Sequence, residues 1–85
     1  MHKVADIVRV DGTIERLPCT VAKLGFERIQ TIVGGYFEHA MGVNGNRVEL
    51  WCNENGIAEG LTDNPLASIL TGHHVQGDAI VERWE

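Results

Sequence analysis

The side chains with the clearest chemical potential lie near the middle of the chain, where acids, an arginine and a tryptophan alternate with apolar residues. Arg47, Glu49 and Trp51 stand two positions apart in the segment RVELWCN, and Glu38 lies upstream in VGGYFE. Tryptophan and arginine are enriched among the residues that dominate protein–protein binding energy. Two carboxylates could instead form a general acid–base pair. The spacing therefore indicates either a binding surface or a catalytic pair.

The rest of the sequence favours binding over catalysis. Ser68 is the only serine, and no nucleophile motif of the GxSxG type surrounds it. His39, Cys52, His73 and His74 lack the paired CxxC and HxxxH spacings that are typical of zinc sites. We therefore expect no enzyme activity, no metal and no cofactor.

Composition and charge limit the classes of partner. The chain has 85 residues, with 44% hydrophobic and 22% charged residues, which is typical of one folded domain spanning 1–85. Its net charge of −5 and its scarcity of lysine disfavour contact with a nucleic-acid backbone, which requires clustered cations. An acidic protein can instead meet a basic protein surface.

Nothing in the sequence predicts export or membrane insertion. No apolar run approaches the roughly 18 residues of a membrane span, and the segment MHKVADIVRV has no signal-peptide pattern. The two cysteines, Cys19 and Cys52, are too few for a disulfide scaffold, so we expect reduced thiols. The expected compartment is the cytoplasm, with no membrane association.

Apolar periodicity and turn residues predict five strands and two helices. They are strands 4–10 and 13–17, helix 21–33, strands 36–43 and 47–53, helix 65–71 and strand 79–84. Thr20 and Asn64 are the expected N-caps, and Gly34 or Gly35, and Gly72, are the expected left-handed residues at the helix ends. The order β-β-α-β-β-α-β predicts an α+β fold, with a mainly antiparallel sheet and helices on one face.

Two dipeptides, Asp11-Gly12 and Asn44-Gly45, predict two-residue hairpin turns of type I′. The first would place Val8 beside Glu15. The second gives a register that separates apolar from polar side chains, with the pairs Val43–Asn46, Met41–Val48, His39–Leu50 and Phe37–Cys52. The predicted outer face of this hairpin carries Tyr36, Glu38, Ala40, Arg47, Glu49, Trp51 and Asn53.

Four segments together resemble a known family. They are VGGYFE at 33–38, LWCNENG at 50–56, GLTDNPLA at 60–67 and VQGDAIV at 75–81. In order and spacing they are similar to the pattern of domain of unknown function 3846, a family of small phage, plasmid and actinobacterial proteins. The chain departs from that pattern in having Pro65 after Asn64, and in a very short link between the second helix and the last strand.

The resemblance implies a mobile-element setting and no established activity, catalytic residue or cofactor. Small acidic phage proteins in such a setting often act by binding host machinery. We therefore expect a non-enzymatic accessory protein that binds and inhibits a host protein with a basic surface, such as an anti-defence or nucleic-acid-handling target. The predicted contact residues are Tyr36, Glu38, Arg47, Glu49, Trp51 and Glu54.

The alternative is an oligomeric protein that sequesters a small ligand or a nucleotide signal. The free amides at the start of the second helix can receive an anion, which predicts a site at Asn64, Leu66 and Ala67, although Asp63 would oppose it. The cations that would have to converge are Arg9, Arg16, Arg28, Arg47 and Arg83. A short sheet with an exposed Trp51 would also allow a homodimer.

Overall fold

Five antiparallel strands and three helices make up the part of the chain that the structure describes, which is residues 1–43, 45 and 47–85 of a computed structural model. The elements are β1 (Lys3–Val8), β2 (Ile14–Arg16), α1 (Val21–Leu24), α2 (Phe26–Val33), β3 (Phe37–Met41), β4 (Val48–Asn53), α3 (Pro65–Thr71) and β5 (Ala79–Trp84). The strand order is β2-β1-β5-β4-β3, so the last strand lies at the centre of the sheet. The predicted α+β class and antiparallel sheet are confirmed. None of the described helices is long and apolar enough to cross a membrane.

The first hairpin differs from the prediction by one residue. Val8 pairs with Ile14, whereas the two-residue turn predicted Glu15 as its partner. Of the two predicted turn residues, only Gly12 has a positive φ, of 86°, so Asp11 does not adopt the type I′ geometry. A left-handed glycine at the end of a three-residue loop is the next most common hairpin connection. The longer loop changes the register.

The central hairpin shows the same one-residue difference. The observed pairs are Phe37–Asn53, Glu38–Cys52, His39–Trp51, Ala40–Leu50 and Met41–Glu49. The predicted pairs His39–Leu50, Phe37–Cys52 and Met41–Val48 are therefore wrong. The predicted turn at Asn44-Gly45 and the pair Val43–Asn46 include Asn44 and Asn46, which lie outside the described residues. Because successive side chains alternate between faces, a shift of one residue moves β3 to the opposite face relative to β4.

Strand β4 is buried on both faces. The separation of apolar from polar side chains was therefore a misleading guide to the register of the central hairpin. Leu50 lies in the core on one face of the sheet, and Trp51 lies in the core on the other face. A strand that is covered on both sides has no polar face that could mark its register. In addition, the Val43 N–H donates to Thr71 O at 2.8 Å, so the end of the hairpin bonds to α3 instead of continuing the ladder.

Helices cover both faces of the sheet, and the prediction of helices on one face is wrong. On one face α3 packs over a core that includes Leu50 and Val81. On the other face α1 and α2 pack over a core that includes Trp51 and Ile80. The neighbouring residues Ile80 and Val81 belong to opposite cores, as strand alternation requires. The two central strands therefore need cover on both sides.

The first predicted helix is divided at Gly25, which has φ 92° and ψ 155°. Thr20 stands at the N-cap, but its side chain makes no capping hydrogen bond. The Val21 N–H donates instead to Oε2 of the buried Glu82, at 2.8 Å. Gly34 ends α2 in the left-handed conformation, as predicted. A side chain from the central strand thus caps the helix that covers it.

The second predicted helix is confirmed at both ends. It covers 65–71, and the Asn64 side chain accepts a hydrogen bond from Ala67 N–H at 3.1 Å. Gly72 ends the helix in the left-handed conformation. With only seven residues, α3 leaves part of its side of the sheet uncovered, and this uncovered part forms one of the surfaces described below.

Candidate functional site

The six residues predicted to form one binding face do not share a surface, and Trp51 is the clearest case. Its side chain is buried, with 8% exposure, in the core under α2. The indole stacks on the His39 imidazole, with ring centroids 4.4 Å apart and planes at 3°. Glu38 pairs with Cys52 and therefore lies on the opposite face of the sheet. The predicted exposure of Trp51 is wrong because α1 and α2 cover this face of the sheet. Its burial also removes the observation that favoured a homodimer.

Glu49 lies on the Trp51 face and is held within the protein. One carboxylate oxygen is 3.3 Å from Lys3 Nζ, and the other is 3.0 Å from His39 Nε2. Glu82 stands directly opposite on β5, with its Oε1 3.8 Å from the same Lys3 Nζ. The ammonium group thus lies between two carboxylates that would otherwise repel each other. Glu49 is engaged internally and does not belong to an open acidic face.

Three of the predicted contact residues do lie together, at the end of the sheet where β3 begins and β4 ends. Glu38 and Glu54 line a cavity of about 320 Å³. Tyr36 is adjacent, because its carbonyl accepts the Glu54 N–H at 3.0 Å. We call this cavity the acidic cleft; its other lining residues include Asn53, Asn55, Ile57, His74 and Gln76. Ile57 is 77% exposed and places apolar surface beside the two carboxylates, and the neighbouring Tyr36 is 67% exposed.

The partners of the two carboxylates in the acidic cleft differ from those of Glu49. Within the described part of the chain, neither Glu38 nor Glu54 takes part in a salt bridge. Glu38 Oε1 accepts a hydrogen bond from Cys52 Sγ at 3.6 Å. Burial, together with the Glu38 charge, raises the pKa of the Cys52 thiol to about 12. Cys52 therefore stays neutral at physiological pH and can donate its S–H to Glu38.

Asn53 positions the acidic cleft from the buried end of β4. Its Nδ2 donates to Val33 O at 3.3 Å and to Glu59 Oε2 at 3.2 Å, and its Oδ1 accepts Asn55 N–H at 2.7 Å. A Cβ at Gly35 would lie 3.1 Å from Asn53 Nδ2. The second glycine of VGGYFE thus lets the chain pass close to this amide, which joins the end of α2 to the loop that forms the cleft.

The side of the acidic cleft near β5 adds a further acid. Gln76 Nε2 donates to Asp63 Oδ1 at 3.1 Å, and His74 Nε2 lies 3.3 Å from the same oxygen. The hydrogen bond from Gln76, followed by that from His74, lowers the pKa of Asp63 below its usual value. Nowhere in the described chain do three or more histidine, cysteine or acidic side chains gather in a group that could hold a metal ion.

The alternative site at the start of α3 is filled by its own cap. Asn64 is fully buried, and its Oδ1 accepts the Ala67 N–H that an anion would need. Its Nδ2 donates to Val8 O and Gly77 O, both at 2.9 Å. Leu66 packs against the core. The predicted set of Asn64, Leu66 and Ala67 therefore joins β1, α3 and the loop before β5, and offers a ligand none of the Asn64 side-chain hydrogen-bonding groups.

A second concave surface lies beside α3 at the opposite end of the sheet. Two cavities, of about 650 and 460 Å³, share Val48, Leu70 and Arg83 in their walls. We call the joined surface the arginine groove; its other lining residues include Met1, Asp6, Ile14, Arg16, Arg47 and Trp84. Arg47, which was predicted to belong to the acidic face, lies here instead.

A buried acid organises the arginine groove. Asp6 accepts a hydrogen bond from Arg16 Nε at 2.6 Å on one oxygen and from Arg83 Nη1 at 2.7 Å on the other. Glu85 Oε2 lies 3.3 Å and 3.1 Å from the Nη2 atoms of the same two arginines. Sequence reasoning did not identify Asp6, although a single acid inside the apolar strand VADIV is a signal of a buried and paired carboxylate.

Three of the five arginines that the alternative function required come together in this groove, namely Arg16, Arg47 and Arg83. Arg9 is elsewhere, because its Nη2 forms a salt bridge with Glu15 Oε1 at 2.7 Å. Arg28 is exposed on α2 and lines neither cavity. The structure therefore presents two separate surfaces of opposite character, one acidic and one rich in arginine.

The comparisons with known proteins give a family and no function. A model described as domain of unknown function (DUF3846) matches residues 5–83. No curated protein and no solved structure matches the chain significantly. The match confirms the resemblance that the four sequence segments indicated.

Proposed function

The chain belongs to the DUF3846 family, and we propose that it is a non-enzymatic protein that binds a host protein with a basic surface and inhibits it. The observation that carries this proposal is the acidic cleft. Glu38 and Glu54 line it and form no salt bridge with the described residues. The exposed Ile57 lines the cleft with them, and the exposed Tyr36 is bonded to Glu54 through its backbone carbonyl. Carboxylates beside exposed aromatic and aliphatic groups are suited to a partner that presents lysine or arginine near apolar residues.

Charge and size both support a protein partner at this surface. A cavity of about 320 Å³ lies at the small end of the range for ligand sites, and it suits a side chain of a partner better than a large free ligand. The net charge of −5 attracts a basic protein over distances up to about 10 Å at an ionic strength of about 0.1 M. Capture by such a surface should weaken as salt is added.

The setting of this binding follows from the family resemblance. A mobile-element protein would meet its partner in the host cytoplasm, where proteins that handle nucleic acid have basic surfaces. Blocking such a surface, including that of a defence protein, requires only binding. The inhibitor does not need a catalytic group for this role.

Affinity capture with matched charge variants tests the proposal. The immobilised protein is compared with a Glu38→Lys/Glu54→Lys variant, which reverses the charge of the acidic cleft. Glu27→Lys is the single-site control, because Glu27 is exposed on α2, forms no salt bridge with the described residues and lines no part of the cleft. We expect the cleft variant to lose specific host proteins by at least tenfold, and Glu27→Lys to retain them.

A second test is provided by the host proteins that the unchanged protein captures and the cleft variant does not. They should have basic surfaces, and they should elute from the unchanged protein as the salt concentration rises. Tyr36→Ala should weaken their capture without changing this salt dependence, because it removes apolar contact only. Equal capture by the unchanged protein and the cleft variant would remove the acidic cleft as the binding surface.

A further inference from the structure

The two outermost strands of the sheet differ in length and in chemistry. Strand β2 has three residues, and its Glu15 and Arg16 side chains form salt bridges within the protein. Strand β3 has five residues and contains neither lysine nor proline. Short length, lysine and proline are common devices that stop an edge strand from pairing with another chain. The edge formed by β3 has none of these three.

The hydrogen bonds on either side of β3 show which of its backbone groups point toward β4. The Tyr36 carbonyl accepts the Glu54 N–H at 3.0 Å, and the Gly42 N–H donates to Val48 O at 2.8 Å. Hydrogen-bonded pairs recur at every second residue of an antiparallel ladder. The even-numbered residues between these two positions therefore also bond to β4.

The odd-numbered residues of β3 direct their N–H and C=O groups away from the sheet. They are Phe37, His39 and Met41, and no residue of this strand is buried. The carbonyl of Met41 lies 2.6 Å from His73 Nε2. The other outward groups have no hydrogen-bond partner among the described residues. Such a row of donors and acceptors can pair with an added strand.

The face of β3 on the side of α1 and α2 is apolar at both ends of the strand. Phe37 packs there, and its ring centroid is 5.1 Å from that of Phe26, which is 60% exposed. Met41 lies on the same face by strand alternation and is 59% exposed. An added strand would cover these side chains best with apolar residues of its own on this face.

The opposite face of β3 carries an acid. Glu38 lines the acidic cleft and forms no salt bridge with the described residues. Because its backbone bonds to β4, Glu38 would form a non-hydrogen-bonded pair with a strand on the open side, and opposite side chains lie closest in such pairs. Charge complementarity therefore specifies lysine or arginine at the position opposite Glu38.

We propose that an extended segment of the protein partner adds to β3 as an antiparallel strand, with a basic residue opposite Glu38 and apolar residues on the other face. This inference rests on the proposed function and gives its mode of binding, since β3 begins at the acidic cleft. A second copy of the chain fits less well. Pairing of two copies about His39 would place their Glu38 side chains diagonally across from each other, and each chain has a net charge of −5.

Calorimetric titration with a capped peptide of alternating valine and lysine tests the proposal. Paired with β3, its lysines lie on the Glu38 face, and its valine N–H groups point toward the strand. Two methylated forms are compared, one with a methyl group on a central valine nitrogen and one with it on a central lysine nitrogen. We expect the valine form to bind at least tenfold more weakly than the lysine form, because only the valine form loses a hydrogen bond to β3.

Three results of this titration would overturn the proposal. The first is no binding of the unmethylated peptide at millimolar concentration. The second is equal affinity of the two methylated forms, which would leave attraction by charge alone. The third is tighter binding of the valine-methylated form, which would place the lysines on the face opposite Glu38. A peptide with glutamate in place of lysine should bind more weakly than the lysine peptide.

Hydrogen exchange, followed residue by residue by NMR, locates the bound peptide. The outward amides of Phe37 and His39 should exchange faster in the free protein than the amide of Ala40, which bonds to β4. Saturation with the lysine peptide should slow exchange at Phe37 and His39 at least tenfold. Unchanged exchange at both positions would place the peptide elsewhere and overturn strand addition.

Matched variants test the backbone and the charge separately. His39→Pro and His39→Ala both remove the imidazole, but only His39→Pro removes the outward N–H, and neither removes a bond to β4. His39→Pro should bind the lysine peptide at least tenfold more weakly than His39→Ala, and equal binding by the two folded variants would contradict the proposal. Glu38→Gln should weaken binding about threefold. Glu15→Gln makes the same change at the other edge and should have no effect.

The outcomes remain separate from those of the capture experiment. If Glu38→Lys/Glu54→Lys loses host proteins while the two methylated peptides bind equally, the acidic cleft remains the binding surface and strand addition is overturned. A clear preference between the methylated peptides, with host capture unchanged in that variant, supports strand addition and contradicts the proposed role of the cleft. Dimerisation of the protein alone that His39→Pro abolishes would identify a second copy as the occupant of β3 and overturn the proposal.

Discussion

The acidic cleft and the arginine groove lie at opposite ends of one sheet and are positioned by different kinds of interaction. Buried side-chain amides hold the acidic end, where Asn53 and Asn64 bond to backbone groups of several segments. Ion pairs hold the arginine end, where Asp6 and Glu85 bond to two arginines. The contrast is between neutral hydrogen bonds inside the protein and charged ones near its surface.

This difference determines which charges remain for a partner. At the acidic end amides do the structural bonding, so the carboxylates of Glu38 and Glu54 stay free of salt bridges with the described residues. At the arginine end Asp6 and Glu85 orient Arg16 and Arg83. Arg47 forms no salt bridge with the described residues. At the acidic end, salt should therefore weaken the binding of a partner but have little effect on the stability of the fold. At the arginine end, salt should weaken both.

The largest expected effect is the loss of the Asn64 side chain. Asn64→Ala removes three buried hydrogen bonds and leaves the carbonyls of Val8 and Gly77 without this donor. We expect the free energy of unfolding to fall by about 3 kcal/mol or more, with little dependence on salt. Urea denaturation measures it. Asn55→Ala is the matched control, and a loss of comparable size there would contradict the structural role of Asn64.

A smaller effect is expected at the arginine end from Asp6→Asn, which removes the charge that two arginines share. Both arginines are partly exposed and screened by solvent, so we expect a loss of about 2 kcal/mol. The loss should shrink in 1 M salt, unlike that of Asn64→Ala. Glu15→Gln breaks the exposed pair with Arg9 and should cost below about 1 kcal/mol. Equal losses for Asp6→Asn and Glu15→Gln would show that Asp6 does not organise this end.

The smallest effect is a dependence of stability on alkaline pH at the acidic end. Burial beside Glu38 raises the pKa of Cys52 from 9.0 to about 12 in the folded protein. The folded state therefore favours the neutral thiol, so its contribution to stability is complete below pH 9 and declines as the pH rises toward 12. Between pH 8 and pH 10 the unchanged protein should lose about 1 kcal/mol more than Cys52→Val. Parallel pH profiles would show that Cys52 is not in this environment.

Local signals predicted the helical segments well. Asn64 and Pro65 at one end and Gly72 at the other specified α3 to the residue, because capping depends on atoms a few positions apart. The ends of the first helical segment were predicted, but its division into α1 and α2 at Gly25 was not. This break accompanies the packing of both helices on the sheet. Its actual capping group, Glu82, is 61 residues away from Val21 in the chain and has no local signal.

Neither hairpin register followed from its turn dipeptide. Asp11-Gly12 forms the end of a three-residue loop, and the central hairpin ends with Val43 bonded to α3. A register error of one residue places every side chain of β3 on the wrong face relative to β4. The error for Trp51 has another cause, because helices cover both faces of the sheet. Tyr36, Glu38 and Glu54 stayed together because they lie where β3 begins and β4 ends, away from the turn.

The sequence by itself determined the fold class, the antiparallel strands, the two helical segments and the family, because these depend on local periodicity, capping residues and short motifs. Only the tertiary structure decided which faces are covered, where Trp51 lies, and that Arg16, Arg47 and Arg83 gather in one groove. The physical reason is that strand pairing and helix docking join residues far apart in the chain. Their geometry depends on packing against both sides of the sheet, which no short segment encodes.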